Sequence, residues 1–195
     1  MSSRLFTVAI VMVLALALPL AAQPALSKVI EGAKRQVGVT RGYDSAYRRI
    51  PYPGGDVPRE TGVCTDVIIR AYRHAGTDLQ VLVHQDMKAH FSAYPKTWGL
   101  RRPDSNIDHR RVPNLATFFK RQGSKLAVTR RDADYRPGDI VTWRLSSGVP
   151  HIGLVSDVPK SGTRRYLVVH NIGAGAQIED VLFSYEITGH YRFGR

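Results

Sequence analysis

The chain contains a single cysteine, Cys64, among 195 residues. No internal disulfide can form, so the fold must hold by core packing, and in an oxidising compartment an unpaired thiol is a liability unless it is buried or used. Long apolar runs are also missing. The longest stretch, Leu5 to Leu20, covers 16 residues and contains Pro19, short of the roughly 20 that a bilayer-crossing helix requires. No repeat, low-complexity segment or Gly/Ser linker divides the chain, which points to one domain. No tight metal signature of the His-Glu-x-x-His kind occurs. Acidic residues are scarce, with 16 Asp and Glu against 28 Lys and Arg and a net charge of +12.

Met1-Ser-Ser-Arg4 precedes the apolar run, and Ala21-Ala22-Gln23-Pro24-Ala25 follows it. That order predicts a secretory signal peptide over residues 1–25, with an uncleaved anchor as the alternative, and an exported domain over residues 26–195. Without the signal the domain keeps 27 basic and 16 acidic side chains. A strongly basic exported domain calls for an anionic neighbour, such as peptidoglycan or another anionic envelope polymer. Nucleic acid is not expected, because the Arg pairs are scattered (Arg48-Arg49, Arg101-Arg102, Arg130-Arg131) and no nucleic-acid module surrounds them. The expected location is therefore periplasmic or secreted, with no stable membrane insertion once the signal is removed.

Apolar spacing predicts a helix over Leu26–Val37 and a second from Cys64 to about His74, with Gly76 as its stop. Further helical stretches are expected over 78–93 and 114–122, the latter after Pro113. Residues 38–62 are too rich in Pro, Gly and Tyr for a regular element. The pattern then changes to strands: Asp139–Trp143, His151–Val155 and Arg165–His170 read as an antiparallel meander, with Val181–Phe183 and His190–Phe193 as additional candidates. Helices first and strands second predict an α+β domain whose N-terminal helices pack on a C-terminal antiparallel sheet.

Cys64 opens a predicted helix. Free backbone N–H groups and the helix dipole at such a terminus favour a thiolate and can also stabilise an oxyanion. Asp66, two residues on, opposes this unless its carboxylate is directed elsewhere. A base is needed, and among seven histidines His151 opens a strand directly after Val149-Pro150 and so lies at the sheet rim. A four-residue turn at Pro159–Gly162 pairs Pro159 with Gly162 and hence His151 with His170, with Cβ atoms about 5 Å apart on one face. His170 would then orient the His151 ring; a slip of one residue would bring Asn171 there instead. A three-ligand zinc site from Cys64, His151 and His170 is the competing arrangement.

At these residues the chain resembles the NlpC-type cell-wall peptidases and amidases of the papain-like superfamily. Within that setting it resembles a bacterial exported family labelled only as a domain of unknown function. The motifs are Tyr52-Pro-Gly-Gly-Asp-Val-Pro58 with Gly62-Val-Cys-Thr-Asp66, then Asn106-Ile-Asp-His-Arg-Arg111-Val-Pro-Asn114, Arg136-Pro-Gly-Asp-Ile-Val141, and His151-Ile-Gly-Leu-Val155 with Val168-Val-His-Asn-Ile-Gly173. The resemblance implies a papain-like fold and a cysteine hydrolase acting on peptidoglycan amide bonds without a cofactor. In it Cys64 is the nucleophile, His151 the base and His170 the polar residue of the next strand. Two departures stand out: the superfamily usually has Asp-Cys-Ser-Gly at the nucleophile, and the 106–114 segment has no clear counterpart there. That segment is expected to form a substrate loop, with Asp108, His109 and Arg110 as contacts beside Arg111, Tyr52 and Asn171, because an Arg fork matches a carboxylate. A solvated connector is the alternative for the loop. Tyr43 or Tyr52 would donate to an oxyanion, or else simply pack. A non-catalytic wall-binding module and a thiol-dependent acyltransferase acting on lipid or wall substrates are the rival functions.

Overall fold

The apolar faces of four helices close over one side of a six-stranded antiparallel sheet. The structure is a computed structural model and describes residues 25–194. The expected signal segment therefore lies outside the described residues apart from Ala25. Among the described residues no helix is long and apolar enough to cross a membrane.

The helices are α1 (Leu26–Lys34), α2 (Cys64–His74), α3 (Leu79–Ala89) and α4 (Val112–Arg121). α1 stops earlier than its periodicity suggests because the chain turns at Gly38, whose φ is 76°, a conformation cheap only for glycine. α3 breaks at His90, and the rest of its predicted span is a single turn over Phe91–Ala93. Val67, Ile68, Ala71 and Tyr72 give α2 a fully buried stripe, worth roughly 1.5–3 kcal/mol for each large side chain removed from water.

Residues 38–62 contain two short strands, β1 (Gly42–Tyr43) and β2 (Thr61–Gly62), which pair in parallel. The main sheet comprises β3 (Lys125–Leu126), β4 (Ile140–Arg144), β5 (Pro150–Pro159), β6 (Tyr166–Asn171), β7 (Ala176–Glu179) and β8 (Glu186–Tyr191), in the order β3-β8-β4-β5-β6-β7. The α+β arrangement read from the sequence is the observed one. One predicted strand is absent: Val181–Phe183 forms a turn, and Leu182 is buried in a second core with Tyr135, Val141, Trp143, Val155 and Val168. That core covers the sheet face away from the helices, and its anchor is Trp143 Nε1 donating to the Leu182 carbonyl at 2.9 Å. Burial on both faces explains why β4 and β5 read as nearly continuous apolar runs.

Candidate active site

Cys64 is the first residue of α2 and is 4% exposed. The Asp66 carboxylate turns back to accept the Val63 N–H at 2.7 Å, capping the helix, and meets the Arg110 guanidinium in a bidentate pair at 2.9 Å for both contacts. This fork neutralises the acid whose direction the sequence left open. Thr65 Oγ1 donates to the Arg110 carbonyl at 2.9 Å, so the 108–110 turn is stapled to the start of α2.

Burial pushes the Cys64 thiol up to about 12, and Asp66 adds to this, against the opposing pull of the Ile152, Thr65 and Cys64 backbone N–H groups. The helix-terminus thiolate expected from the sequence is thus reversed in the resting state. A dipole at a helix end contributes about 0.3–2 kcal/mol, less than the cost of burying an uncompensated charge.

His151 is the second residue of β5 and is also buried. Its Nε2 lies 2.9 Å from His170 Nδ1, and His170 Nε2 lies 2.8 Å from Glu179 Oε2. A carboxylate can only accept, so His170 donates from Nε2 and accepts at Nδ1. His151 then donates from Nε2, which leaves its Nδ1 as the unprotonated nitrogen. Burial, and then the neighbouring His170, lower His151 to about 3. Burial likewise lowers His170, opposed by Glu179. Both rings rest neutral.

The ladder that brings the two imidazoles together is not the one expected. Leu154 pairs with Val169 and Val155 with Val168, which sets His170 opposite Gly153, two residues from His151. The hairpin loop runs from Lys160 to Arg165, and β5 bulges between Val155 and Pro159. Together these shift the register by two residues, which preserves the face where a shift of one would reverse it.

Pro150 lines the same cleft as Cys64, and the Ile152 N–H reaches the Cys64 sulfur, so the residues on either side of His151 face the Cys64 side of the sheet. Alternation along β5 directs the His151 ring toward Trp143, at 5.8 Å between centroids. Among the described residues no hydrogen bond joins Cys64 Sγ to His151: the ring lies on the Trp143 and Val155 face of the sheet, whereas α2 packs on the Ile152 and Leu154 face. No three His, Cys, Asp or Glu side chains of the described residues converge as metal ligands.

The cleft has a volume of about 370 Å³ and is lined by Tyr43, Tyr47, Cys64, Trp98, Arg111 and Pro150 among others. Tyr43 stands beside the thiol: burial, and then its interaction with Cys64, raise the phenol to about 12, so it stays protonated and able to donate. Asn171 holds this arrangement in place. Its Nδ2 donates to the carbonyls of Gly42 at 3.2 Å and Gly62 at 3.0 Å, clamping the paired strands that carry Tyr43 and lead into Cys64.

The other expected contacts are placed differently in the structure, by burial and by their hydrogen-bond partners. Asn171 has its amide committed to that clamp and is fully buried. Tyr52 lies outside the set of residues lining the cleft and packs edge-on against His84, at 5.1 Å between ring centroids. Asp108, His109 and Arg110 are not a solvated loop but are buried. Burial raises Asp108 to about 6 and lowers His109 to about 3. Arg110 borders the cleft, yet its fork belongs to Asp66. Glu179 was missed altogether. The signal was Gly173-Ala-Gly175, whose glycines have φ of 148° and 87°: a hairpin there returns a strand alongside His170.

A family model described as a domain of unknown function, DUF1287, matches residues 30–193. The chain belongs to the DUF1287 family. Among curated proteins, this DUF1287 chain is 56% identical over 166 residues to the uncharacterized protein YijF of Escherichia coli (strain K12), across 85% of this chain and 80% of that protein. Among solved structures it is similar to a lipoprotein-like member of the NLP/P60 family from Staphylococcus aureus subsp. aureus Mu50, at 10% identity and a TM-score of 0.42. That comparison covers 91% of this chain and 45% of the other, so the DUF1287 chain spans less than half the length of that structure.

Proposed function

We propose that this DUF1287 domain is a papain-like cysteine hydrolase of the bacterial envelope that cleaves amide bonds in peptidoglycan stem peptides or cross-links. The observation carrying this reading is the chain Glu179, His170, His151, two hydrogen bonds of 2.8 and 2.9 Å that fix one imidazole tautomer on β5, the strand whose Ile152 N–H meets the helix-initial thiol. A relay of that form orients a general base.

In the proposed cycle the His151 ring, which faces Trp143 on the sheet side away from α2 in this structure, turns to Cys64 and takes its proton at Nδ1 as sulfur attacks the amide carbonyl. The oxyanion is met by the Cys64 backbone N–H and the Tyr43 hydroxyl. Collapse breaks the C–N bond, His151 protonates the leaving amine, and a thioester remains. Water then attacks the thioester with His151 as base, releasing the acid and restoring the thiol. His170 and Glu179 stabilise the imidazolium formed in both halves. Because thiol and imidazole both rest neutral, proton transfer accompanies attack. The net positive charge suits a carboxylate-rich wall polymer.

The burial of Cys64 favours a second reading, a non-catalytic wall-binding module that retains the fold. Purified wall sacculi incubated with the protein and with Cys64→Ala separate the two. Mass spectrometry is expected to find fragments with a newly freed amine only in the Cys64 sample. Equal release by both proteins, or none by either, defeats the hydrolase reading, and the fragment masses name the bond.

A further inference from the structure

Of the two arginines that border the cleft, Arg110 is cancelled by Asp66 at 2.9 Å. Arg111 is not. Its guanidinium lies over the Trp98 ring, 4.2 Å from the centroid. Among the described residues its one ion pair is with Asp108, at a loose 3.5 Å, and Asp104 acts on it from farther off. No acidic residue lines the cleft. The Arg111 side chain is 15% exposed, so its charge is largely shielded from bulk screening, and no carboxylate grips it in a bidentate pair as Asp66 grips Arg110.

We propose that Arg111, held over the Trp98 ring, reads a carboxylate on the substrate beside the bond that Cys64 attacks. Resting on the hydrolase reading, this assigns the substrate class: an amide flanked by a free carboxylate, in place of a neutral peptide. With the guanidinium over the indole and Nη1 toward Asp108, the remaining edge carries the parallel N–H donors that a planar carboxylate fills in a bidentate manner. Contact with the Trp98 ring restrains the guanidinium in advance, which reduces the ordering cost of binding. The site also extends. Tyr47 lines both this cleft and a neighbouring one where Arg49, Arg101 and Arg102 outnumber Asp104, so a longer anionic strand has a net basic path away from Cys64.

The test is binding, which separates this inference from turnover. The Cys64→Ala protein is titrated with purified disaccharide-peptide wall fragments, native or with carboxylates converted to carboxamides, using tryptophan fluorescence and calorimetry. Native fragments are expected to bind about 10- to 100-fold more tightly, the range of a charge-assisted pair. Arg111→Gln in that background is expected to erase the difference and leave the amidated fragments unaffected, with Arg111→Lys intermediate. A preference that survives Arg111→Gln in a protein with an unchanged melting curve, or no preference at all, overturns the proposal. So does displacement by inorganic phosphate at concentrations equal to the fragment, which reassigns the site to phosphate. Trp98→Leu is the second variant: it keeps the charge but frees the fork, and is expected to weaken native fragments several-fold. If Arg111 discriminates but the Cys64 protein releases nothing from sacculi, the hydrolase reading fails and the carboxylate site stands.

Discussion

Gly153 faces His170 across the β5–β6 ladder so closely that a Cβ on Gly153 would stand 3.1 Å from His170 Cβ and 2.7 Å from Val168 Cγ1. The missing side chain makes room for the ring linking His151 to Glu179. Gly153→Ala is therefore expected to displace His170, lowering fragment release at least tenfold at a stability cost of about 1–3 kcal/mol from overpacking. Turnover measured alongside denaturant unfolding checks this; full activity in a folded Gly153→Ala protein would argue against the relay.

In the proposed mechanism Glu179 acts through His170 as a positioning residue. Its side chain is half exposed, and its one role at the site is to accept the His170 N–H at 2.8 Å. Glu179→Gln keeps an acceptor oxygen and is expected to retain most activity, whereas Glu179→Ala loses the tautomer lock and falls about tenfold or more. Rescue by Gln distinguishes positioning from bulk packing. Equal loss in both variants would instead identify the carboxylate charge as the requirement.

Removing Arg110 leaves the Asp66 carboxylate uncompensated at 4% side-chain exposure. Arg110→Met is expected to destabilise the protein by about 3–5 kcal/mol, the usual consequence of breaking one side of a buried pair. Adding Asp66→Asn is expected to restore part of that loss. Urea unfolding of the single and double variants gives the comparison, and additive losses would show that the pair is not coupled.

Stability is expected to fall on the acid side. His109 and His151 sit at about 3 when folded, against 6.5 for a free imidazole. The unfolded chain then binds more protons between those values, so their contribution is complete above about 6.5 and is lost as pH falls toward 3. Asp108 has the opposite sign: it is raised to about 6 from 3.8, and its contribution is lost as pH rises through 6. Two histidines outweigh one carboxyl, so melting temperature should drop between pH 6 and pH 4. His109→Gln is expected to flatten that slope, and an unchanged slope would contradict a neutral buried His109.

The resting thiol should be slow to alkylate. With Cys64 at about 12 against 9.0 for an unperturbed thiol, iodoacetamide is expected to label it more slowly than a small thiol at pH 7, at a rate that climbs with pH. Mass spectrometry between pH 6 and 10 reads this directly. A fast, pH-independent rate near neutrality would indicate a thiolate–imidazolium pair instead.

Local order was legible from the chain alone. Helical spacing placed Cys64 at the first turn of α2, and Gly76 marked its end. The strands carrying His151 and His170 follow from β-branched runs bounded by Pro and Gly, because periodicity and turn chemistry are written within a few residues. What those residues can do was decided elsewhere. Arg110 reaches Asp66 across 44 positions, and Asn171 reaches Gly62 across 109; neither partner is implied by its neighbours in sequence. The same holds for the register, set by a bulge between Val155 and Pro159, and for Glu179, brought to His170 by a strand the local pattern did not reveal. Cys64 shows the division most plainly. The sequence determined that it opens a helix, where a dipole favours the thiolate. Only the packing of β5 and the helices over it decided that burial dominates, because desolvation depends on everything around the sulfur and not on the residues beside it in the chain.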